Sequence, residues 1–166
     1  MRFQSYRAYL GTVPVFLWIA LLLRLIWLIL VGIEPVSDGF MYRVFSHQIA
    51  NGVGYAFPSG ELTAYWAVGT AAFYALVGSI FGFSDLSIGI SNVAIGVGIV
   101  YLTYTLALRY FDATVATIAA WLLALWPVLI QFTTIYASEL LFMFFLLAAL
   151  NTWASTKVPF IWKPIL

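Results

Sequence analysis

The sequence predicts an all-α integral membrane protein with about four transmembrane helices, plus extracytoplasmic juxtamembrane helices between the first two. Three observations lead there. Hydrophobic residues make up 64% of the 166 positions and charged residues only 8%, against roughly 25% charged in a soluble domain. Several uncharged stretches reach the roughly 20 residues that a helix needs to cross a bilayer core about 30 Å thick. The few cations also distribute unevenly about those stretches, as a membrane orientation requires. A net charge of +1 with pI near 8.0 gives no footing for a nucleic-acid partner. The absence of cysteine excludes disulfides and thiolate metal sites.

The first span is residues 14–33, interrupted by Arg24 and preceded by Arg2 and Arg7. It is too long for the apolar region of a signal peptide, and no small-x-small cleavage pattern follows it, so it reads as a retained anchor. Uncharged runs follow at 62–84, 86–108 and 113–156, the last interrupted by Glu139. That last run is too long for one helix. It must break near QFTTIYASE at 131–139, where polar residues cluster four residues after Pro127, whose missing N–H weakens a helix. The expected organisation is therefore spans at 14–33, 88–108, 113–132 and 136–154, with an outer loop at 34–86.

Residues 63–82 are long enough to cross but carry Gly69, Gly78, Gly82 and a Tyr65-Trp66 pair. Five spans with the N-terminus inside would put Arg43, Arg109, Lys157 and Lys163 outside, and only Arg2 and Arg7 inside. If the segment instead lies along the outer surface, Arg2, Arg7, Arg109, Lys157 and Lys163 are inside and Arg43 alone is outside. Cations favour the cytoplasmic side, so the four-span arrangement is preferred. The segment's aromatic residues, from Tyr65 to Phe81, also suit a membrane interface. The expected location is the cell membrane, multi-pass, with a cytoplasmic N-terminus. Glu34, Asp38, Glu61 and Asp85 then gather outside, and Glu139 opens the last span from the same side.

Asp38, in PVSDG at 35–39, reads either as a turn or N-cap residue for a helix beginning near Phe40, or as a general base held at the bilayer surface. Glu139 reads as a first-turn acid favoured by the helix dipole, or as an intramembrane functional carboxylate. Arg24, midway along its span, must face the bundle and pair with a carboxylate or with backbone carbonyls, or line a path for an anionic head group. Tyr42, Phe45 and Ile49 are spaced for a short amphipathic helix that Gly52 would end. Arg43 can balance a phosphate or hydrogen-bond Asp38. His47 is the single histidine; it reads as a surface residue and rules out a multi-histidine metal site.

Taken together, SD at 37–38, Tyr42, ANGVGY at 50–55, the aromatic run 63–82, LRYFD at 108–112, and Pro127 followed by YASELLF at 136–142 resemble the GT-C membrane glycosyltransferases. The nearest likeness is to protein O-mannosyltransferases and lipid A aminoarabinose transferases. One departure is Val68-Gly69, where the family often has Pro-Gly. Another is length, since such enzymes have more spans, so the chain resembles their N-terminal module. The resemblance implies a partial GT-C fold and inverting transfer of a sugar from a polyprenyl-phosphate carrier to an acceptor glycan, lipid or protein outside the membrane. Asp38 would then be the base and Glu139 a second acid. Tyr42, Arg43, His47, Tyr55, Glu61 and Arg24 form the candidate substrate-binding set, and no cofactor or metal is expected. The alternative from the residues is a small four-span protein that translocates or presents polyprenyl-linked sugars without catalysis. A structural subunit is a third.

Overall fold

The computed structural model describes residues 13–33, 35 and 37–155. Helices α1 (Val15–Val31), α2 (Asp38–Ala50), α3 (Val68–Phe81), α4 (Asp85–Tyr110), α5 (Ala113–Leu125), α6 (Pro127–Gln131) and α7 (Ser138–Ala154) follow one another, with a 3-10 turn over Phe132–Thr134 before α7. Among the described residues there is no strand, only an isolated bridge between Ala56 and Leu62. Arg2, Arg7, Glu34, Lys157 and Lys163 lie outside the described residues.

Local chemistry sets the boundaries. Ser84 caps α4, its hydroxyl accepting from the Ser87 N–H while Ser87 reaches back to the Ser84 N–H. Asp112 caps α5 by accepting from the N–H groups of Thr114 and Val115, both at 2.9 Å. Such caps satisfy N–H groups that a first turn leaves without partners. α5 stops at Leu125 because Pro127 cannot donate to the Leu123 carbonyl. Beyond it, the Pro127–Thr134 stretch leaves at 54° to the α5 axis.

The packing register fixes the direction of every long helix. Leu28 of α1 fills the space that Gly89 of α4 leaves open, Arg24 fills the space at Gly96, and the Phe16 ring lies 4.9 Å from that of Tyr104. Residue numbers fall along α1 as they rise along α4, so the two are antiparallel. On the other side of α4, Leu140 and Leu141 pack on Ile95 and Ile99, Phe144 sits over Gly98, and Asn151 bonds to Thr105. Numbers rise together there, so α7 runs parallel to α4. Glycines at these contacts make room for the facing side chains, since a Cβ at Gly96 would lie 2.6 Å from Arg24 Nε.

One end of the bundle therefore holds the end of α1, the starts of α4 and α7, and the whole connection that contains α2 and α3. This loop end has its own apolar cluster, including Leu28, Tyr42, Phe45, Tyr74, Ile88 and Tyr136. The opposite end is built from Phe16, Ala20, Val100, Tyr104 and the alanine row Ala116, Ala120, Ala124. Because Leu28 meets Gly89, the chain that leaves α1 returns to α4 at the same end. Residues 63–82, with α3 inside them, do not carry it to the other.

The helices bury an apolar core and also expose large apolar side chains that a water-soluble bundle would cover. The inward row of α1 is Phe16, Ala20, Arg24 and Leu28, whereas its outward row carries Trp18, Leu22, Ile26 and Ile29. α5 turns alanines inward and exposes Val115, Ile118 and Leu122; α7 buries Asn151 and exposes Phe142, Phe145 and Trp153. Among the described residues, by length and composition α4 alone is long and apolar enough to cross a membrane. α5 and the Pro127–Thr134 stretch pass that test as a bent pair, and α1, α3 and α7 are shorter apolar helices.

Candidate functional site

The site forms where the break between α6 and α7 meets the start of α2. Ile135 (φ −123°, ψ 139°) and Ala137 (φ −118°, ψ 130°) are extended, so the buried polar groups of 133–137 cannot satisfy one another as a helix would. Two side chains do it for them. Asn92 Nδ2 donates to the carbonyls of Thr133 at 3.1 Å and Ile135 at 3.0 Å. Asn92 Oδ1 accepts from the Tyr74 hydroxyl at 2.9 Å, and that hydroxyl accepts from the Ala137 N–H at 3.2 Å. Both side chains are fully buried. Nearby, the Trp27 indole N–H donates to Thr134 Oγ1 at 3.1 Å.

Asp38 opens α2. Ser37 is the N-cap residue, with φ 50°, the one non-glycine in the left-handed region among the described residues. Asp38 is thus a first-turn acid at a helix N-terminus, where the dipole favours a carboxylate, and its side chain is exposed. Its neighbour Gly39 is buried against the break: a Cβ there would lie 3.3 Å from the Tyr136 carbonyl oxygen and 3.7 Å from Tyr136 Cβ. The same segment enters α7, whose first turn holds Glu139. Glu139 is exposed, and its Oε2 accepts from the Ser138 hydroxyl at 3.1 Å. The two acids therefore flank one short stretch of backbone at the loop end.

The other candidates divide. Tyr42 is buried in the loop-end cluster, its ring 6.2 Å from Trp66. Tyr55 stacks on Phe45 at 4.4 Å. Its buried hydroxyl has no hydrogen-bond partner, and burial, helped by Tyr42, raises its pKa. His47 lies on the Phe83 ring at 4.0 Å; burial, with Arg43 nearby, lowers its pKa. Phe83 in turn fills the space over Gly78. Arg43 is exposed and makes no hydrogen bond to Asp38; its charge and that of Asp85 both act on the Tyr136 phenol. Glu61 is exposed in a loop turn, where its carbonyl accepts from the Phe57 N–H at 2.9 Å.

Arg24 does not join this group. Its guanidinium, 0% exposed, donates to the carbonyls of Ala20 at 3.1 Å, Ala124 at 3.4 Å and Leu123 at 3.4 Å. Of the sequence alternatives, backbone carbonyls are the partners it finds. Two of them belong to the last turn of α5, which Pro127 deprives of its own donors, so a cation caps the negative end of that helix.

A groove of about 760 Å³ opens between α3 and α7, lined by Thr70, Phe73, Leu76, Glu139, Phe142 and Phe145 among others. It is apolar apart from the polar atoms at its Glu139 end. Among the described residues no cluster of histidine and acidic side chains could hold a metal ion. Sequence reasoning missed Tyr74 and Asn92. The signal was available for one of them, an asparagine seven residues after Asp85 in a predominantly apolar helix. Comparison with family models, curated proteins and solved structures gave no match to this chain.

Proposed function

We propose that this chain is a four-span membrane module that carries an extracytoplasmic site for sugar transfer from a polyprenyl-phosphate donor. The membrane reading rests on the large apolar side chains that the helices turn outward. Large apolar rows face outward around an interior that also holds Asn151 and Arg24, an arrangement stable in lipid and costly in water. α1 and α7, with 17 residues each, sit at the short end of the roughly 17–25 residues that span a bilayer. The spans are α1, α4, α5 with α6, and α7. α3 stays at the outer end, which leaves Arg109 inside and Arg43 outside, in keeping with the positive-inside rule.

The transfer reading rests on one observation, that Asp38 and Glu139 flank the same backbone segment at the loop end. A phosphate is already a competent leaving group, so the protein need only orient an acceptor hydroxyl, take its proton and stabilise departing charge. Asp38 is the candidate base. Glu139, at the mouth of an apolar groove, is the second acid, placed to orient the acceptor.

The test is Asp38→Asn in the protein as encoded, assayed in membranes for sugar transfer from a polyprenyl-phosphate donor. Transfer should be abolished while membrane insertion is unchanged; retained transfer refutes Asp38 as the base. For the topology, single cysteines at Ser59 and Ser87 should both react with an impermeant maleimide added from outside. Protection of Ser87 would refute it.

A further inference from the structure

The Tyr74–Asn92 pair is more elaborate than packing requires. Burying an amide and a phenol among apolar side chains is unfavourable unless their hydrogen bonds are made. Neither group serves its own helix: both Asn92 Nδ2 donors go to carbonyls of the 133–135 break, and the Tyr74 hydroxyl bridges Asn92 to the Ala137 N–H. These bonds run from α3 through α4 into the last residue before α7. That segment touches Gly39 on one side and leads within two residues to Glu139 on the other.

We infer that Tyr74, held by Asn92, is the positioning residue that sets the placement of Glu139 relative to Asp38. This deepens the transfer reading and rests on it for its functional consequence. The Tyr74 ring is fully buried in the loop-end cluster with Leu28, Phe45 and Ile88 and packs on Phe73 at 5.2 Å, contacts that persist when Tyr136 is replaced. Removing the hydroxyl therefore leaves the ring in place and frees the Ala137 N–H. The segment entering α7 then keeps the Asn92 contacts to 133 and 135 and its apolar packing, but loses the hydrogen bond nearest Glu139. Glu139 keeps its chemistry but loses its fixed distance to Asp38.

The chain has no cysteine, so an engineered pair reports the geometry directly. The 3.7 Å from an ideal Cβ at Gly39 to Tyr136 Cβ falls within the roughly 3.5–4.5 Å that a disulfide needs. Gly39→Cys with Tyr136→Cys should cross-link readily under mild oxidation, and adding Tyr74→Phe should slow that cross-link several-fold. In a protein without the cysteines, Tyr74→Phe should lower kcat by about tenfold, the scale of a small misplacement, with KM for the donor unchanged. An unaltered cross-linking rate overturns the inference, as does a rise in KM at constant kcat. If neither wild type nor variant transfers sugar, the transfer reading fails while the cross-link still decides the positioning role. Should Tyr74→Phe not accumulate, Asn92→Ser, too short to reach both carbonyls, gives the same cross-linking readout.

Discussion

Replacing Arg24 by leucine removes the donors from two carbonyls, those of Leu123 and Ala124, that α5 cannot satisfy itself. The third acceptor, the Ala20 carbonyl, is already paired within α1. A buried carbonyl left unpaired costs about 1–3 kcal/mol, so two cost roughly 2–6 kcal/mol. Against this, the leucine variant no longer buries a guanidinium, a desolvation term of several kcal/mol. The opposing magnitudes overlap, so the single substitution does not test the cap. A double-mutant cycle with Pro127→Ala does. That second substitution supplies the N–H that the Leu123 carbonyl lacks, leaving Arg24 one carbonyl fewer to satisfy. Arg24→Leu should therefore be less damaging in the Pro127→Ala background by about 1–3 kcal/mol, one carbonyl's worth. The assay is unfolding in mixed micelles followed by tryptophan fluorescence, since Trp121 lies in α5 and Trp126 at its C-terminal end. If the effect of Arg24→Leu is the same in both backgrounds to within roughly 0.5 kcal/mol, Arg24 does not cap α5.

Gly96→Ala should destabilise the bundle by about 1–3 kcal/mol, the usual cost of overpacking a core, because the new methyl would meet Arg24 Nε at 2.6 Å; an unchanged unfolding midpoint in the same micelles would contradict the α1–α4 register. His47 should make the loop end sensitive to acid. Its folded pKa lies below the ordinary histidine value of 6.5 because burial, then Arg43, disfavours the imidazolium. The unfolded chain thus binds the proton first, and stability falls as pH drops below about 6.5 until the folded-state pKa is passed. Comparing midpoints at about pH 7.5 and about pH 5 should show a loss that His47→Gln abolishes. A variant that retains the whole loss would place the sensitivity elsewhere.

Helix placement was legible because it depends on local signals. The apolar run 14–33 contains α1 and the run 86–108 lies within α4, but the helix expected over 113–132 stops at Leu125, because Pro127 breaks it ahead of the polar cluster at 131–139. The shared end of Asp38 and Glu139 was also within reach, because the uneven placement of the cations argued for putting both acids on one side. What could not be read were partners chosen across the fold. Nothing near residue 24 says that its acceptors include carbonyls about a hundred positions away, freed by a proline. Tyr74 looked like one more interfacial aromatic, because its distinguishing property is a bond to the Ala137 N–H, a backbone group that only the bend exposes. Arg43 was read through its nearest acid in sequence, yet in the fold its charge acts on the Tyr136 phenol instead.

The alanine row of α5 and the glycines of α4 carry a consequence for how the chain can change over time. Outward positions such as Trp18, Leu122 and Phe145 ask only for apolar bulk, so one large hydrophobe there is nearly as good as another. Inward positions such as Ala116, Ala120, Gly96 and Gly98 ask for smallness, and a single added methyl meets a neighbouring chain segment. Tolerance to substitution should therefore run from the outside in, with the plainest residues in the sequence the ones least free to drift.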